Sequence, residues 1–406
     1  MPRARQLLAV LLAVPAILLG IGVLAFVLVQ PFRGAVQTAV LVPELIGAGP
    51  QLLGATQPEP VRQTLAYTAR GDRMDIYRPG GSTADQPGDP DGAGGGGGSL
   101  RPAVLIVLGV SPAPLDDPRV VRVGSALARF GFIVGIPSSR ELIQSRVAAD
   151  EPERVVEAFV TLLRQPGVDP ERAGLLGFSV GGSLSLIAAG DPRIADRVAY
   201  VNAFGAFADA GTLLVDVATR SVVRDGAAVV WQPGDLTRQV FLGLLLDAVP
   251  AGPERDVLEG AVGPMVLGNG PTPGSYDRAV ASLLSGDAAA AYRLATATDR
   301  GAAAAALAAL SPDRLALLEA ISPVGYVDRL RAPVYLMHDE GDSAIPFSHL
   351  APLAEAVPAE ALRRVTAFRL FDHVEVEKGI GLEAVPELAK LLGHVSDLLG
   401  VALEGR

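Results

Sequence analysis

From residue 103 onward the chain alternates uninterrupted apolar runs with amphipathic segments, and this rhythm limits its possible folds more than any other feature. "AVLIVLG", "FIVGIP", "RAGLLGF" and "VAYVNAFG" read as strands that are apolar throughout. Between them, "DPRVVRVGSALARFG" ends in a stop glycine, "EPERVVEAFVTLLRQ" has Pro152 in its first turn, and "GGSLSLIAAG" completes the set of helices. Strands without a polar face, separated by helices, require a mostly parallel sheet covered on both sides, so the fold class is α/β and doubly wound. The rhythm stops at about residue 207. Ala- and Leu-rich stretches such as "TRQVFLGLLLDAV" and "RGAAAAALAALS" then predict a helical insertion over 207–326, with no good strand before "APVYLMH". The sheet pattern resumes there, continues through "VTAFRLF" and closes on an amphipathic helix near 383–400.

Upstream, "LLAVLLAVPAILLGIGVLAFVLV" (7–29) carries no charge in 23 positions. At about 1.5 Å per residue it spans roughly 34 Å as a helix, enough to cross a bilayer. It lacks the short apolar core and small-residue cleavage site of a signal peptide. The expectation is an uncleaved anchor in residues 1–33. Arg3, Arg5 and the amino terminus outweigh Arg33, which places the amino terminus in the cytoplasm and the body outside it. Residues 34–63 form a juxtamembrane connector, expected on the lipid or on the body. "TLAYTARGDRMDIYRP" (64–79) predicts a hairpin around a Gly-Asp turn. The Gly-rich 80–100 stretch interrupts the core as a flexible loop. The core is thus expected over 64–206 and 327–406.

With 50% hydrophobic residues the chain can bury a large core, and a net charge of −10 with scattered basic residues argues against nucleic acid as a partner. The absence of cysteine removes thiol nucleophiles and thiolate metal sites. The His and carboxylate spacing fits no metal motif, and the glycines at 94–98 lack the flanking strand and helix of a nucleotide loop, so no metal or cofactor is expected.

"LLGFSVGGS" (175–183) carries the chemistry. Gly177-Phe178-Ser179-Val180-Gly181 lies between an apolar strand and a helix former, the setting in which G-x-S-x-G has meaning. A tight turn there needs small neighbours, lifts the Ser179 hydroxyl clear of the sheet, and puts the Val180 amide at a helix start where it can stabilise an oxyanion.

On these residues the chain resembles the α/β-hydrolase superfamily, in particular its esterase and dienelactone hydrolase-like members, over about 64–206 and 330–400. The resemblance implies the chain order nucleophile, acid, base. In "VYLMHDEGDSAIP" it assigns the acid to Asp342, with Asp339 and Glu340 as nearby alternatives; in "LFDHVEVEKG" it assigns the base to His373. His338, His349 and His394 are expected to be non-catalytic. A second oxyanion donor is expected at Gly109 or Val110, where many relatives carry His-Gly and this chain has Leu108-Gly109-Val110. The resemblance implies a serine hydrolase acting on a small acyl substrate, first a carboxylic ester and second a peptide bond, under a helical cap. A hydrolase-fold module without turnover, serving for binding or scaffolding, is the alternative of another class.

Overall fold

The structure is a computed structural model describing residues 30–47, 49–81, 99–110, 115–268, 275–372, 375–376 and 385–404. The expected anchor at 7–29 and the heart of the Gly-rich loop, 82–98, lie outside the described residues.

Helices α1 (Gln30–Ile46) and α2 (Leu52–Thr56) precede a hairpin of β1 (Val61–Ala66) and β2 (Arg73–Arg78). There follow β3 (Arg101–Val107), α3 (Pro118–Phe130), β4 (Ile133–Ser138), α4 (Arg140–Ile143), α5 (Glu151–Leu163), β5 (Val168–Phe178), α6 (Val180–Ala189) and β6 (Val201–Phe204). The insertion comprises α7 (Ala210–Thr219), β7 (Ser221–Arg224), β8 (Ala227–Val230), α8 (Asp235–Asp247), α9 (Pro253–Val266), α10 (Arg278–Ala281), α11 (Gly286–Ala295), α12 (Arg300–Ala308) and α13 (Pro312–Ala320). The chain closes with β9 (Val334–Asp339), α14 (Leu350–Ala356), β10 (Leu362–Phe368), the short β11 (Phe371–Asp372) and β12 (Glu375–Val376), and α15 (Val385–Glu404).

Eight strands form one sheet in the order β1-β2-β4-β3-β5-β6-β9-β10. β1, β2 and β4 pair antiparallel in turn, and every later pairing is parallel. The apolar strands feed two cores by the period-2 rule. Along β3, Ala103, Leu105 and Val107 face the layer of α5 and α6, while Val104 and Ile106 face that of α1, α3 and α15. Local chemistry sets the helix ends. Asp117 accepts the Arg119 N–H at the start of α3, Pro118 occupies the first turn, and Gly131 ends the helix at φ 117°.

Within the 34–63 stretch, α1 packs on α3 and α15, with Leu41 buried and Gly34 against Ser396. Buried Glu44 accepts the Gly54 N–H, tying α2 to α1. The insertion is not purely helical. β7 and β8 form an antiparallel hairpin whose two turn residues, Asp225 (φ 52°) and Gly226 (φ 77°), both have positive φ as a type I′ turn demands. Asp-Gly between valine-rich runs is the local signal for this hairpin, at a place where the sequence expectation has helix alone. Among the described residues no single helix is long and apolar enough to cross a membrane.

Candidate active site

Ser179 is the one residue between the end of β5 and the start of α6, and its backbone is strained at φ 55°, ψ −131°. A non-glycine residue in such a conformation costs on the order of 1–3 kcal/mol, so its surroundings must enforce it. They do. The Ser179 N–H donates to the Phe204 carbonyl of β6 at 2.8 Å, and its own carbonyl accepts the Gly182 N–H at 2.9 Å. A Cβ on Gly181 would strike the carbonyl oxygens of Val107 and Leu108, and one on Gly177 would strike the backbone of Gly181 and Gly182. The glycine requirement read from the motif therefore has a steric cause: α6 crosses directly over the ends of β3 and β5. Ser183 and Ser185, both buried, lock this crossing through Phe207 and the Gly181 carbonyl.

Val180 opens α6, leaving its amide among the helix's unpaired N-terminal donors. Gly109 runs against the serine, since a Cβ there would lie 3.0 Å from Ser179 Cβ and 3.2 Å from its Oγ. Gly109, Val110, Ser179 and Val180 line one cavity of about 520 Å³. Its walls are largely apolar and include Leu213, Leu214, Val240 and Leu244 from the insertion, together with the Ser343–Ile345 turn.

That turn belongs to the acid loop after β9. Asp342 is buried, and its Oδ1 accepts the N–H groups of Ala344 (2.7 Å) and Ile345 (2.9 Å). The neighbouring carboxylates are engaged elsewhere. Asp339 Oδ1 accepts the Gly341 N–H and its Oδ2 the Leu370 N–H, stapling the ends of β9 and β10, while Glu340 pairs with exposed Arg369. Of the three sequence candidates, only Asp342 sits in the stretch bordering the serine cavity.

His373 lies outside the described residues; its flanking strands, β11 and β12, pair antiparallel. The other three histidines are each held by the fold. His394 is fully buried, with Nδ1 at 2.8 Å from Thr366 Oγ1 and Nε2 at 2.7 Å from Asn202 Oδ1. Burial pushes its pKa down to about 4. His338 Nε2 donates to the Ile345 carbonyl at 2.9 Å and lies 3.5 Å from Asp342 Oδ2, so it supports the acid loop from beneath. His349 bridges to Asp216 of α7. Among the described residues no cluster of His and carboxylate side chains could hold a metal ion.

The contribution of the insertion to this loop is not legible in the sequence. The Trp231 indole N–H donates to the Asp342 carbonyl at 3.0 Å, the Gly234 N–H to the Ser343 carbonyl at 2.7 Å, and the Thr237 hydroxyl to the Ala344 carbonyl at 3.0 Å. No local pattern announces bonds between residues more than a hundred positions apart.

No family model matches the chain, nor does any curated protein. Solved structures similar to it include a 2,6-dihydroxy-pseudo-oxynicotine hydrolase (16% identity, TM-score 0.44, covering 85% of this chain and 69% of that one). The Pyrococcus horikoshii acylaminoacyl peptidase gives 12% identity and TM-score 0.45 over 86% of this chain and 42% of that one. A puromycin-hydrolyzing peptidase of Mycobacterium tuberculosis gives 16% and 0.44 over 86% and 40%. The chain thus spans less than half the length of either peptidase. Its own sheet order, antiparallel at one edge and parallel beyond it, together with the strained serine between β5 and α6, gives this chain the α/β-hydrolase fold.

Proposed function

We propose that this chain is a serine hydrolase that cleaves a carboxylic ester through an acyl-enzyme. The reading is carried by one observation: a serine held at positive φ lines an apolar cavity that is also lined by residues 343–345, the turn that follows a buried, amide-bonded Asp342. Ser179 Oγ attacks the acyl carbonyl as His373 takes its proton, and Asp342 orients the imidazole and stabilises its cation. The Val180 amide, with that of Gly109 or Val110, stabilises the oxyanion. The imidazolium protonates the leaving alcohol, and water, deprotonated by His373, then releases the acid and restores Ser179. The apolar walls supplied by the insertion support an apolar acyl group of modest size. Residues 7–29 tether this body to a bilayer, with the catalytic part extracytoplasmic.

A fluorophosphonate probe tests the reading. Labelling of wild type that disappears in Ser179→Ala supports it, and a folded wild type that takes no label sinks it in favour of a binding module. Turnover of a p-nitrophenyl ester series against matched peptide amides decides between ester and peptide. Loss of turnover in His373→Ala but not in His394→Ala checks the base.

A further inference from the structure

Three successive carbonyls of the acid turn, those of residues 342, 343 and 344, each accept a hydrogen bond from the insertion, at residues 231, 234 and 237. The amides on the other side of the same turn, Ala344 and Ile345, are taken by Asp342 Oδ1. The 343–344 and 344–345 peptide planes, which carry the two N–H groups that hold the carboxylate, are therefore fixed from both sides. Only one side is supplied by the core. The donors lie on a short, stiff piece of chain: Trp231 leaves the β7–β8 hairpin with its own N–H bonded to the Arg220 carbonyl, Pro233 is buried, and Thr237 stands in the first turn of α8. Gly234 passes so close that a Cβ would lie 3.1 Å from Ser343 Oγ.

Resting on the hydrolase reading, we infer that residues 231–237 are a strap that sets the aim of the Asp342 carboxylate, so that Trp231 and Thr237 are positioning residues for the triad. The insertion thereby does more than roof the cavity. A displacement of about 1 Å in catalytic geometry costs up to about 10²-fold in rate, so loosening one anchor of the turn is expected to lower kcat by about 10-fold. In the proposed triad a carboxylate held less firmly also stabilises the imidazole's cation less, which lowers the pKa of the base and moves the acid limb of the kcat/KM profile to lower pH.

Thr237→Val removes the hydroxyl and keeps the shape, Thr237→Ser keeps the hydroxyl, and Trp231→Phe removes the indole N–H. Each is compared with wild type in the full-length protein for p-nitrophenyl ester kinetics, pH profile, fluorophosphonate labelling rate and far-UV circular dichroism. Expected are a lower kcat, slower labelling and a downshifted acid limb in Thr237→Val and Trp231→Phe, with Thr237→Ser near wild type. If wild type labels at Ser179 yet Thr237→Val keeps wild-type kcat and acid limb, or changes KM alone, the strap is refuted and the hydrolase reading stands. If folded wild type takes no label at all, both fall together. Should Trp231→Phe fail to fold, the two Thr237 variants decide the question.

Discussion

His349 and Asp216 meet across the boundary between core and insertion, Nε2 to Oδ2 at 3.2 Å, with both side chains buried. The backbone N–H of Ala208 donates to His349 Nδ1 at 3.1 Å, which leaves the ring proton on Nε2, facing the carboxylate. Arg300 of α12 pairs with the other oxygen of Asp216 at 2.6 Å. One aspartate on α7 thus joins two insertion helices to the segment after the acid loop. Asp216→Ala strands both partners and is expected to destabilise the fold by on the order of 3 kcal/mol, read as a lower denaturant midpoint. Asp216→Asn keeps shape and one acceptor, and its loss should be smaller.

Asp342→Asn separates aim from charge. The amide oxygen can still accept from Ala344 and Ile345, so the turn persists, yet the group no longer stabilises an imidazolium. Ester turnover should fall by about 10³–10⁴ with the melting temperature nearly unchanged. Asp339→Asn, which alters the β9–β10 staple, is expected to do the opposite: a lower melting temperature and a kcat close to wild type.

Gly109→Ala places a methyl 3.2 Å from the Ser179 hydroxyl oxygen, closer than a relaxed contact allows. The loop ending β3 must give way or the hydroxyl must turn. A loss of 10-fold to 10²-fold in kcat is expected. A wild-type kcat in a folded Gly109→Ala protein would show that this loop takes no part in the site.

Leu214 and Leu244 line both the serine cavity and a second cavity of about 290 Å³ beneath the insertion. Leu244→Ala opens one toward the other. Preference across an acyl chain-length series should then shift toward longer chains by on the order of 10-fold in relative kcat/KM, since each methylene newly housed is worth about 1–3 kcal/mol.

The buried His394 gives the fold an acid limit. Its pKa in the fold is about 4, below the ordinary histidine value, so between that value and about 6.5 the unfolded chain binds a proton that the folded one refuses. Stability contributed by the neutral ring is intact above pH 6.5 and is lost as pH falls toward 4. Urea midpoints should drop over that window, and His394→Gln should flatten the drop while weakening the fold at pH 8.

The fold is most legible in the sequence where a local rule has one solution. The strand, serine turn and helix at 175–189 had to be built that way, because glycines at 177 and 181 are the only residues that let α6 cross β3 and β5. The doubly wound sheet followed from strands with no polar face. Strand order did not follow from any local pattern, since it is set by which crossovers pack. The β7–β8 hairpin was written in Asp225-Gly226 but masked by helical company. The packing of α1 on α3 and α15 left no trace in the sequence, because an apolar connector suits lipid or protein equally.

The sole tryptophan of the chain is the residue whose indole touches the acid turn. Tryptophan emission, excited at wavelengths beyond tyrosine absorption, therefore originates at one spot beside the proposed chemistry. Ligand entry, acylation or opening of the insertion can be followed there optically, in solution and in real time, without attaching a dye.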